Sequence, residues 1–336
     1  KQQYFFVAAT FQDIMRRFKK HNSDFTLLPD RVAVQLNDTH PAIAIPELMR
    51  LLLDEEGLEW NNAWEISVKT FAYTNHTVLP EALEAWPARL ISRLLPRHME
   101  IIYEINRQFL GMVEKQYPGK PELLRRVSII EDGPEQKVRM AHLAIVGSHT
   151  VNGVAALHSR ILKDKLFNDF NIIFPGKIIN VTNGVTPRRW VLQANPALSS
   201  LITETIGSDW ITDLDQLKKL IPHADSPEFR EKWRQVKLGN KVRLVKYIKR
   251  KINMDVNPDT LFDVHVKRIH EYKRQLLNIF HVITLYNRIK ADPAKQIVPR
   301  TVIFGGKAAP AYIQAKLIIK LINSVADIVN SDPEVN

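Results

Sequence analysis

The chain of 336 residues is 45% hydrophobic and 25% charged, which is typical of a globular protein, and its length favours two domains. It has no cysteine, which excludes disulfides and thiolate chemistry and fits a reducing compartment, and no apolar run approaches the roughly 18 residues of a membrane span. Its net charge of +11 favours anionic partners such as phosphate metabolites, nucleic acid or anionic lipid.

Two features predict that the chain is a piece of a longer protein. It starts inside the apolar run 4–7, its first methionine is Met15, and it stops at a turn directly after a helical pattern. The net charge therefore describes this segment and need not hold for the parent protein.

Helical and strand-like patterns alternate along the first half of the chain. The predicted helices lie at 7–20, 46–57, 60–70 and, with interruptions at Pro87 and Pro96, over 81–114. The predicted strands are 32–36, 71–74 and 177–181.

Polar side chains follow each of these three strands. The segments are Asn37-Asp38-Thr39-His40-Pro41, Asn75-His76-Thr77 and Thr182-Asn183-Gly184. Ligands of α/β proteins bind at the carboxyl ends of parallel strands, so the three segments together favour a hydroxyl-rich ligand such as a sugar.

Each segment also has a purely structural interpretation. Asp38 or Thr39 could cap a helix that has Pro41 in its first turn. A single histidine such as His76 is more often structural than catalytic, and Gly184 suits a turn that requires positive φ. For the first segment the two interpretations are compatible.

The sequence pattern becomes mainly helical after residues 184–195, and this stretch is therefore the candidate domain boundary. A basic helix is predicted at 229–252, with ten lysines and arginines against the single acid Glu231. Beyond it, strand 261–266, a helix with an apolar stripe, strand 300–304 and a helix ending at Val329 form a βαβα series, which predicts a parallel sheet. The stripe consists of Leu276, Phe280, Ile283 and Tyr286.

Within this βαβα series, positive charge is most concentrated in the segment directly after strand 261–266. It carries Lys267, Arg268, Lys273 and Arg274, with Glu271 as its only acid. Cations placed between a strand and a helix start are suited to bind an anion, and phosphate is the first candidate. The alternative is a solvated basic surface.

The turn Gly305-Gly306-Lys307 lacks the spacing of a dinucleotide or Walker loop. It is either a tight turn that lets helix and strand pack closely, or a set of backbone N–H groups facing an anion. No metal-ligand spacing is present, so no metal site is expected.

Several long motifs resemble those of the α-1,4-glucan phosphorylase (glycogen phosphorylase) family, in order over nearly the whole chain. They are L-N-D-T-H-P at 36–41, A-Y-T-N-H-T-V-L-P-E-A-L-E at 72–84, L-L-P-R-H at 94–98, V-G-S-H-T-V-N-G-V-A at 146–155, T-N-G-V-T-P-R-R-W at 182–190, V-K-R-I-H-E-Y-K-R-Q-L-L-N at 266–278 and G-G-K-A-A-P at 305–310.

The resemblance implies an α/β fold of two Rossmann-like domains facing across a cleft, the GT-B glycosyltransferase type, with both domains incomplete here. Residues 1–188 would end the first domain and 189–336 would begin the cofactor-binding one. It implies phosphorolysis of glycogen or another α-1,4-glucan by inorganic phosphate, giving glucose 1-phosphate. It also implies a cytoplasmic homodimer that uses pyridoxal phosphate, attached to a lysine outside this chain, so that the chain alone is inactive.

The resemblance also assigns roles to residues. Lys267 and Lys273 would face the cofactor phosphate, and Arg268 the substrate phosphate. Three residues, Tyr272, Asn183 and His76, would contact the sugar hydroxyls, and Asp38 would lie at the mouth of the glucose pocket. Arg16 and Arg17 resemble the pair that binds the phosphate of the activator AMP, and Tyr312 the aromatic of a purine inhibitor site.

Two departures from the family pattern limit these roles. The loop after Arg17 is shorter than in vertebrate members, which weakens the expectation of AMP activation, and Ala311 stands where glycine is expected before Tyr312.

Two other classes of protein compete with this interpretation. A nucleotide-sugar glycosyltransferase would share the architecture, but it needs an acidic ribose clamp and does not need the doubled phosphate cluster. A nucleic-acid-binding scaffold could use helix 229–252, whose aromatic side chains instead fall near its apolar face. We therefore expect neither a nucleic-acid nor a membrane partner.

Overall fold

The computed structural model describes residues 1–79, 83–294 and 296–335. The chain forms two compact units, which divide between Gly184 and Val185. This division falls a few residues before the predicted boundary at 188/189. Over the described residues, no helix combines the length and the apolar character needed to cross a bilayer.

The first unit contains ten helices within the described residues. They are α1 (Gln2–Phe18), α2 (Leu28–Arg31), α3 (Ala44–Arg50), α4 (Trp60–Thr70), α5 (Ala88–Leu94), α6 (Pro96–Gln116), α7 (Pro121–Val127), α8 (Met140–Val146), α9 (Ala156–Ile161) and α10 (Asn168–Ile173). Its strands are β1 (Val34–Asn37), β2 (Phe71–Thr74), β3 (Ala85–Pro87), β4 (Ile130–Glu131), β5 (Lys137–Arg139), β6 (Thr150–Gly153) and β7 (Ile178–Asn180).

Four of these strands form a parallel sheet in the order β1-β2-β6-β7. The register pairs Asn37 with Thr74 and Thr74 with Asn152, so these strands end at one edge. Leu36, Tyr73 and Val151 are almost fully buried, because helices cover the sheet and strand positions can then be apolar. The predicted α/β sheet and its three predicted strands are confirmed.

Most of the core belongs to this unit, and α6 shows how its sequence builds it. The buried positions Met99, Ile102, Ile105, Phe109 and Val113 recur every three or four residues, which places them on one face of the helix. Pro96 begins the helix, where its missing N–H costs nothing.

The helical prediction over 81–114 was wrong before Pro87, while its interruptions at Pro87 and Pro96 are confirmed. Residues Ala85–Pro87 form β3, which pairs antiparallel with β5, and α5 begins only at Ala88. Residues 80–82 lie outside the described part of the chain. Pro87 suits the end of a short strand because it has no N–H to donate to the ladder.

The described part of the second unit contains α11 (Pro196–Ile206), α12 (Pro227–Ile252), α13 (Gln275–Ala291) and α14 (Ile313–Ser331), with strands β8 (Leu261–Val266) and β9 (Arg300–Gly305). β8 and β9 pair in parallel, from Leu261 with Arg300 to Val266 with Gly305. The predicted βαβα series is therefore confirmed.

Two helices of this unit differ in how well their faces were predicted. The basic helix α12 has no buried residue, as expected for a solvated helix, and Ser226 caps it by accepting the Phe229 N–H. In α13 the predicted stripe was partly wrong, because Leu276 and Phe280 are exposed while Gln275 and Ile279 are buried.

Candidate functional site

The carboxyl edge of the four-stranded sheet gathers polar side chains from three strands. The Gln35 amide donates to the Thr74 hydroxyl at 2.8 Å, and that hydroxyl donates to the Asn152 amide oxygen at 2.8 Å. Thr74 and Asn152 are register partners, whereas the Gln35 side chain reaches Thr74 diagonally from its position opposite Ala72. The edge is therefore a connected polar surface and not a set of isolated side chains.

His76 lies directly beyond β2 on this edge. Its Nε2 is 2.5 Å from the Asn37 side-chain oxygen, so the polar ends of β1 and β2 meet, as the sequence predicted. The imidazole is exposed, which leaves it accessible to a ligand.

The position of His76 depends on Asn75, whose side chain is completely buried. The Asn75 amide donates to the Tyr73 hydroxyl at 3.1 Å, and its oxygen accepts the Thr77 N–H at 3.1 Å. The same oxygen lies 2.8 Å from Nε2 of His158. The turn that carries His76 is therefore anchored from beneath by hydrogen bonds.

His158, in α9, was not predicted as a functional residue. Its Nδ1 accepts the Val154 N–H at 3.5 Å, which assigns the proton to Nε2, the atom facing Asn75. Burial and, second, the charge of His76 lower the pKa of His158. It is therefore a neutral donor to Asn75. Nothing distinguishes it in the sequence beyond its place shortly after β6.

Asp38 follows β1 and does not cap a helix, so the predicted cap at Asp38 or Thr39 was wrong. Helix α3 begins later, at Ala44, without a side-chain cap. Asp38 instead has φ of 109°, a conformation that non-glycine residues seldom adopt, and its carboxylate accepts the Thr39 N–H at 2.8 Å. Burial raises the pKa of Tyr73, and the charge of Asp38 raises it further.

Asn183 lies in an extended segment and not in the predicted turn. Its N–H donates to Val154 at 3.1 Å, which continues the pairing beside β6, and Gly184 does not have positive φ. The side chain of Asn183 is exposed at the same carboxyl side of the sheet. The predicted turn was therefore wrong, and a role for Asn183 in ligand binding stays a prediction.

In the second unit, the cation-rich segment 267–274 forms a loop fixed against the glycine turn. The Lys267 N–H donates to Gly305 at 2.9 Å and the Ile269 N–H donates to Lys307 at 3.1 Å, which extends the pairing of β8 with β9. Ile269 is 4% exposed, whereas Arg268 is exposed. Alternation along this extended stretch therefore turns the apolar side chain inward and the guanidinium outward.

No cation of the loop is neutralised by an acid in the described parts of the chain. Lys267, Arg268, Lys273 and Arg274 form no ion pair with the carboxylates placed there. Glu271 instead accepts a hydrogen bond from the Tyr312 hydroxyl at 2.5 Å. The loop therefore presents positive charge that only an added anion would balance.

Aromatic rings pack around this loop. The His270 ring lies 4.5 Å from the ring of Tyr272 and 4.9 Å from that of Tyr312. The Lys273 ammonium lies 4.8 Å from the centre of the Tyr272 ring. Tyr272 is 53% exposed and so remains available to a ligand. The family resemblance predicts only an effector contact for Tyr312 and does not predict its bond to Glu271.

The glycine turn supports close packing. A Cβ on Gly306 would lie 2.1 Å from the Lys267 carbonyl oxygen, so only glycine fits there without movement. One on Gly305 would meet only the Val266 side chain, at 3.2 Å. The alternative, backbone N–H groups facing an anion, stays a prediction.

Arg16 and Arg17 lie in the last turn of α1, and both side chains are exposed. Asp13 accepts a hydrogen bond from Arg16 at 2.6 Å and forms an ion pair with Arg17 at 3.0 Å, and these guanidinium groups lower the pKa of its carboxyl group. In this arrangement the pair shares one counter-charge. No cluster of metal-ligating side chains occurs among the described residues.

The whole chain, residues 1–336, matches the carbohydrate phosphorylase family. It is 57% identical to the muscle forms of glycogen phosphorylase from Bos taurus and Oryctolagus cuniculus, and 56% identical to the brain form from Pongo abelii. Each match covers 100% of this chain and 41% of the relative, so the chain spans about two fifths of the relatives' length. These matches confirm the resemblance seen in the motifs, and the chain belongs to the carbohydrate phosphorylase family.

Proposed function

We propose that the chain is a segment of a glucan phosphorylase, which cleaves the terminal α-1,4-linked glucose of glycogen, or of another α-1,4-glucan, with inorganic phosphate and releases glucose 1-phosphate. Family membership over the whole chain supports this proposal. The activity is assigned to the full-length protein, because the chain spans only 41% of its relatives' length. We expect no turnover from the chain alone.

The structural observation that carries the proposal is the loop 267–274, whose four cations form no ion pair with any carboxylate in the described residues. Phosphorolysis with a phosphate-bearing cofactor requires two phosphate groups to lie side by side. With charges of about −1.5 to −2 each, about 5 Å apart at an effective dielectric near 20, they would repel by roughly 7–13 kcal/mol. Several cations are needed to offset that repulsion.

The chemistry of this loop fits a phosphate-bearing cofactor such as pyridoxal phosphate. Lys267 and Lys273 would hold the cofactor phosphate, since ammonium groups act as compact point charges. When bound, that phosphate supplies an acid or base at the substrate phosphate. Arg268 would bind the substrate phosphate, because its planar fork matches two phosphate oxygens at once. The lysine that attaches the cofactor would lie elsewhere in the full-length protein.

The polar edge of the first unit would contact the sugar. His76 and Asn183 offer donors and acceptors for sugar hydroxyls, and Asp38 would lie at the mouth of the glucose pocket. The family resemblance assigns the Tyr272 hydroxyl to the sugar as well. The anchored turn around Asn75 supports this assignment, since it limits the motion of His76 before substrate arrives. In this proposal these side chains orient the glucose.

Family membership also suggests finer properties of the full-length protein. These are the GT-B arrangement with a cleft between two Rossmann-like domains, a cytoplasmic homodimer, AMP binding by Arg16 and Arg17, and purine stacking on Tyr312. The exposed arginine pair supports AMP binding, and the short loop that follows it argues for weak activation.

The test is phosphate-dependent release of glucose 1-phosphate from glycogen by the full-length protein, with Arg268→Ala as the critical variant. Loss of a charge-assisted contact should raise the phosphate KM and lower kcat, reducing kcat/KM by about 10²-fold (about 2–3 kcal/mol). Arg288→Ala is the matched control, because it removes one exposed arginine from the end of α13. Unchanged phosphate kinetics in Arg268→Ala would refute the role of Arg268, and no phosphate-dependent release by the parent protein would refute the function.

A further inference from the structure

Gln275 is a polar residue in a place where an apolar one would be expected. It is the first residue of α13, directly after the cation loop, and its side chain is completely buried. A buried amide must be hydrogen-bonded, since otherwise its desolvation is uncompensated. Its two hydrogen bonds therefore indicate its structural role.

Both ends of this amide bind the backbone of the cation loop. Nε2 donates to the Arg268 carbonyl at 3.1 Å, and Oε1 accepts the His270 N–H at 3.4 Å. The two backbone groups flank Ile269, which is buried, so the amide fixes the loop on both sides of that anchor. An apolar side chain of the same size would fill the space but make neither bond.

The backbone next to Gln275 is also unusual. Arg274 has φ of 66°, in the left-handed region, so the chain reverses sharply between the loop and α13. Because of this reversal, the side chain of Gln275 points back to the loop and bonds to the backbone five and seven residues earlier. Since Ile269 and the amide hold the loop from inside, Arg268 is directed outward.

We propose that Gln275 is a positioning residue, which fixes the backbone at Arg268 and His270 so that the Arg268 guanidinium is oriented to receive the substrate phosphate. The proposal rests on the function proposed above and adds a residue to it. Gln275 is buried and does not contact the phosphate itself. Its loss should therefore weaken phosphate binding while glucan binding stays the same.

The variant is Gln275→Met in the full-length protein, which keeps the volume and removes both hydrogen bonds. Asn278→Leu, one turn further along α13, is the control. The Asn278 amide lies 3.3 Å from Nδ1 of His265 on β8, so this change removes a side-chain hydrogen bond from the same helix without touching the loop. Arg268→Ala, measured in parallel, reports whether the phosphate assignment itself holds.

Hydrogen–deuterium exchange at the His270 amide and steady-state kinetics are the two measurements. In Gln275→Met we expect exchange at His270 to accelerate by about tenfold or more, because its acceptor is gone. We expect the phosphate KM to rise by about 5–20-fold while the glucan KM changes less than about twofold. Asn278→Leu should neither accelerate exchange at His270 nor raise the phosphate KM. If Gln275→Met does not fold, Gln275→Asn keeps a neutral amide but shortens it by one methylene, so it cannot reach both backbone groups and should still raise the phosphate KM.

Three results would overturn the proposal. They are unchanged exchange at His270, a phosphate KM that moves no further than in Asn278→Leu, and an equal loss toward phosphate and glucan, which would show a purely structural role. If Arg268→Ala raises the phosphate KM and the Gln275 variants do not, only this inference fails. If Arg268→Ala also has no effect, the assigned phosphate site fails.

Discussion

The hydroxyl of Tyr312 donates a hydrogen bond of 2.5 Å to the carboxylate of Glu271, and it also accepts the Glu271 N–H at 3.3 Å. Glu271 is the one acid within the loop 267–274. By holding that carboxylate, Tyr312 occupies the group that could otherwise pair with a neighbouring cation. The tyrosine therefore helps to keep the positive charge of the loop available to phosphate.

This relationship predicts the effect of Tyr312→Phe. The released carboxylate should compete with phosphate for the loop cations, so the phosphate KM should rise by about 3–10-fold, or about 1 kcal/mol. Steady-state kinetics of the full-length protein at varied phosphate would measure it. The double variant with Glu271→Gln should recover a lower KM, because the competing charge is then absent. A KM that stays equally high in the double variant would show that charge competition is not the cause.

The contact between the two loops predicts different effects at two adjacent glycines. Gly306→Ala would place a Cβ at 2.1 Å from the Lys267 carbonyl oxygen, so the cation loop must move, whereas Gly305→Ala meets only the Val266 side chain at 3.2 Å. We expect Gly306→Ala to destabilise the protein by about 1–3 kcal/mol and to weaken phosphate binding. Urea unfolding and phosphate KM would measure both. Equal behaviour of the two variants would show that the contact is unimportant.

Most of the parallel strands could be predicted from sequence because their signals are local, whereas β6 and the strand order β1-β2-β6-β7 were not predicted. Apolar runs ending in polar residues marked β1, β2 and β7, and strand–helix alternation marked β8 and β9 as parallel. The charges of Lys267, Arg268, Lys273 and Arg274 were visible for the same reason.

The remaining features depend on contacts between residues far apart in the chain. Tyr312 and Glu271 are 41 residues apart in the sequence, and His158 and Asn75 are 83 residues apart. No local sequence pattern predicts either contact. The helix cap predicted at Asp38 was wrong although the local residues favoured it, because Asp38 adopts positive φ and α3 starts later. The buried amide of Gln275 likewise depends on contacts with Arg268 and His270 that its own position does not indicate.

The buried amide of Asn75 predicts a selective loss on the sugar side. Asn75→Leu removes the bonds to Tyr73, Thr77 and His158 and leaves the buried Tyr73 hydroxyl without this partner. We expect a stability loss of about 1–3 kcal/mol and a raised glucan KM, because the turn carrying His76 loosens. Gln35→Ala is the control, since its exposed amide bonds to Thr74 on the same edge. A raised phosphate KM with normal glucan kinetics would contradict this role.

The arginine pair at the end of α1 predicts opposite effects of neighbouring substitutions on AMP. Arg17→Ala should weaken AMP binding by the full-length protein, because it removes a cation. Asp13→Ala should strengthen it by about two- to fivefold, since Asp13 now neutralises both guanidinium groups. Calorimetric titration with AMP would measure both. If neither variant changes the affinity, the pair does not bind the nucleotide phosphate.

His142, in α8, predicts a pH dependence of stability. Its Nδ1 lies 3.0 Å from the Ser128 carbonyl oxygen, its ring meets Phe170 edge-on, and burial lowers its pKa to about 4. The unfolded chain, with a histidine pKa of about 6.5, binds more protons between these values, so stability falls as pH drops from about 6.5 to 4, by up to about 3 kcal/mol. Thermal unfolding at pH 7 and pH 5 should therefore show a smaller acid shift in His142→Gln than in the parent. His149→Gln, at an exposed histidine, should retain the parent's shift. An undiminished acid shift in His142→Gln would assign the pH dependence to other groups.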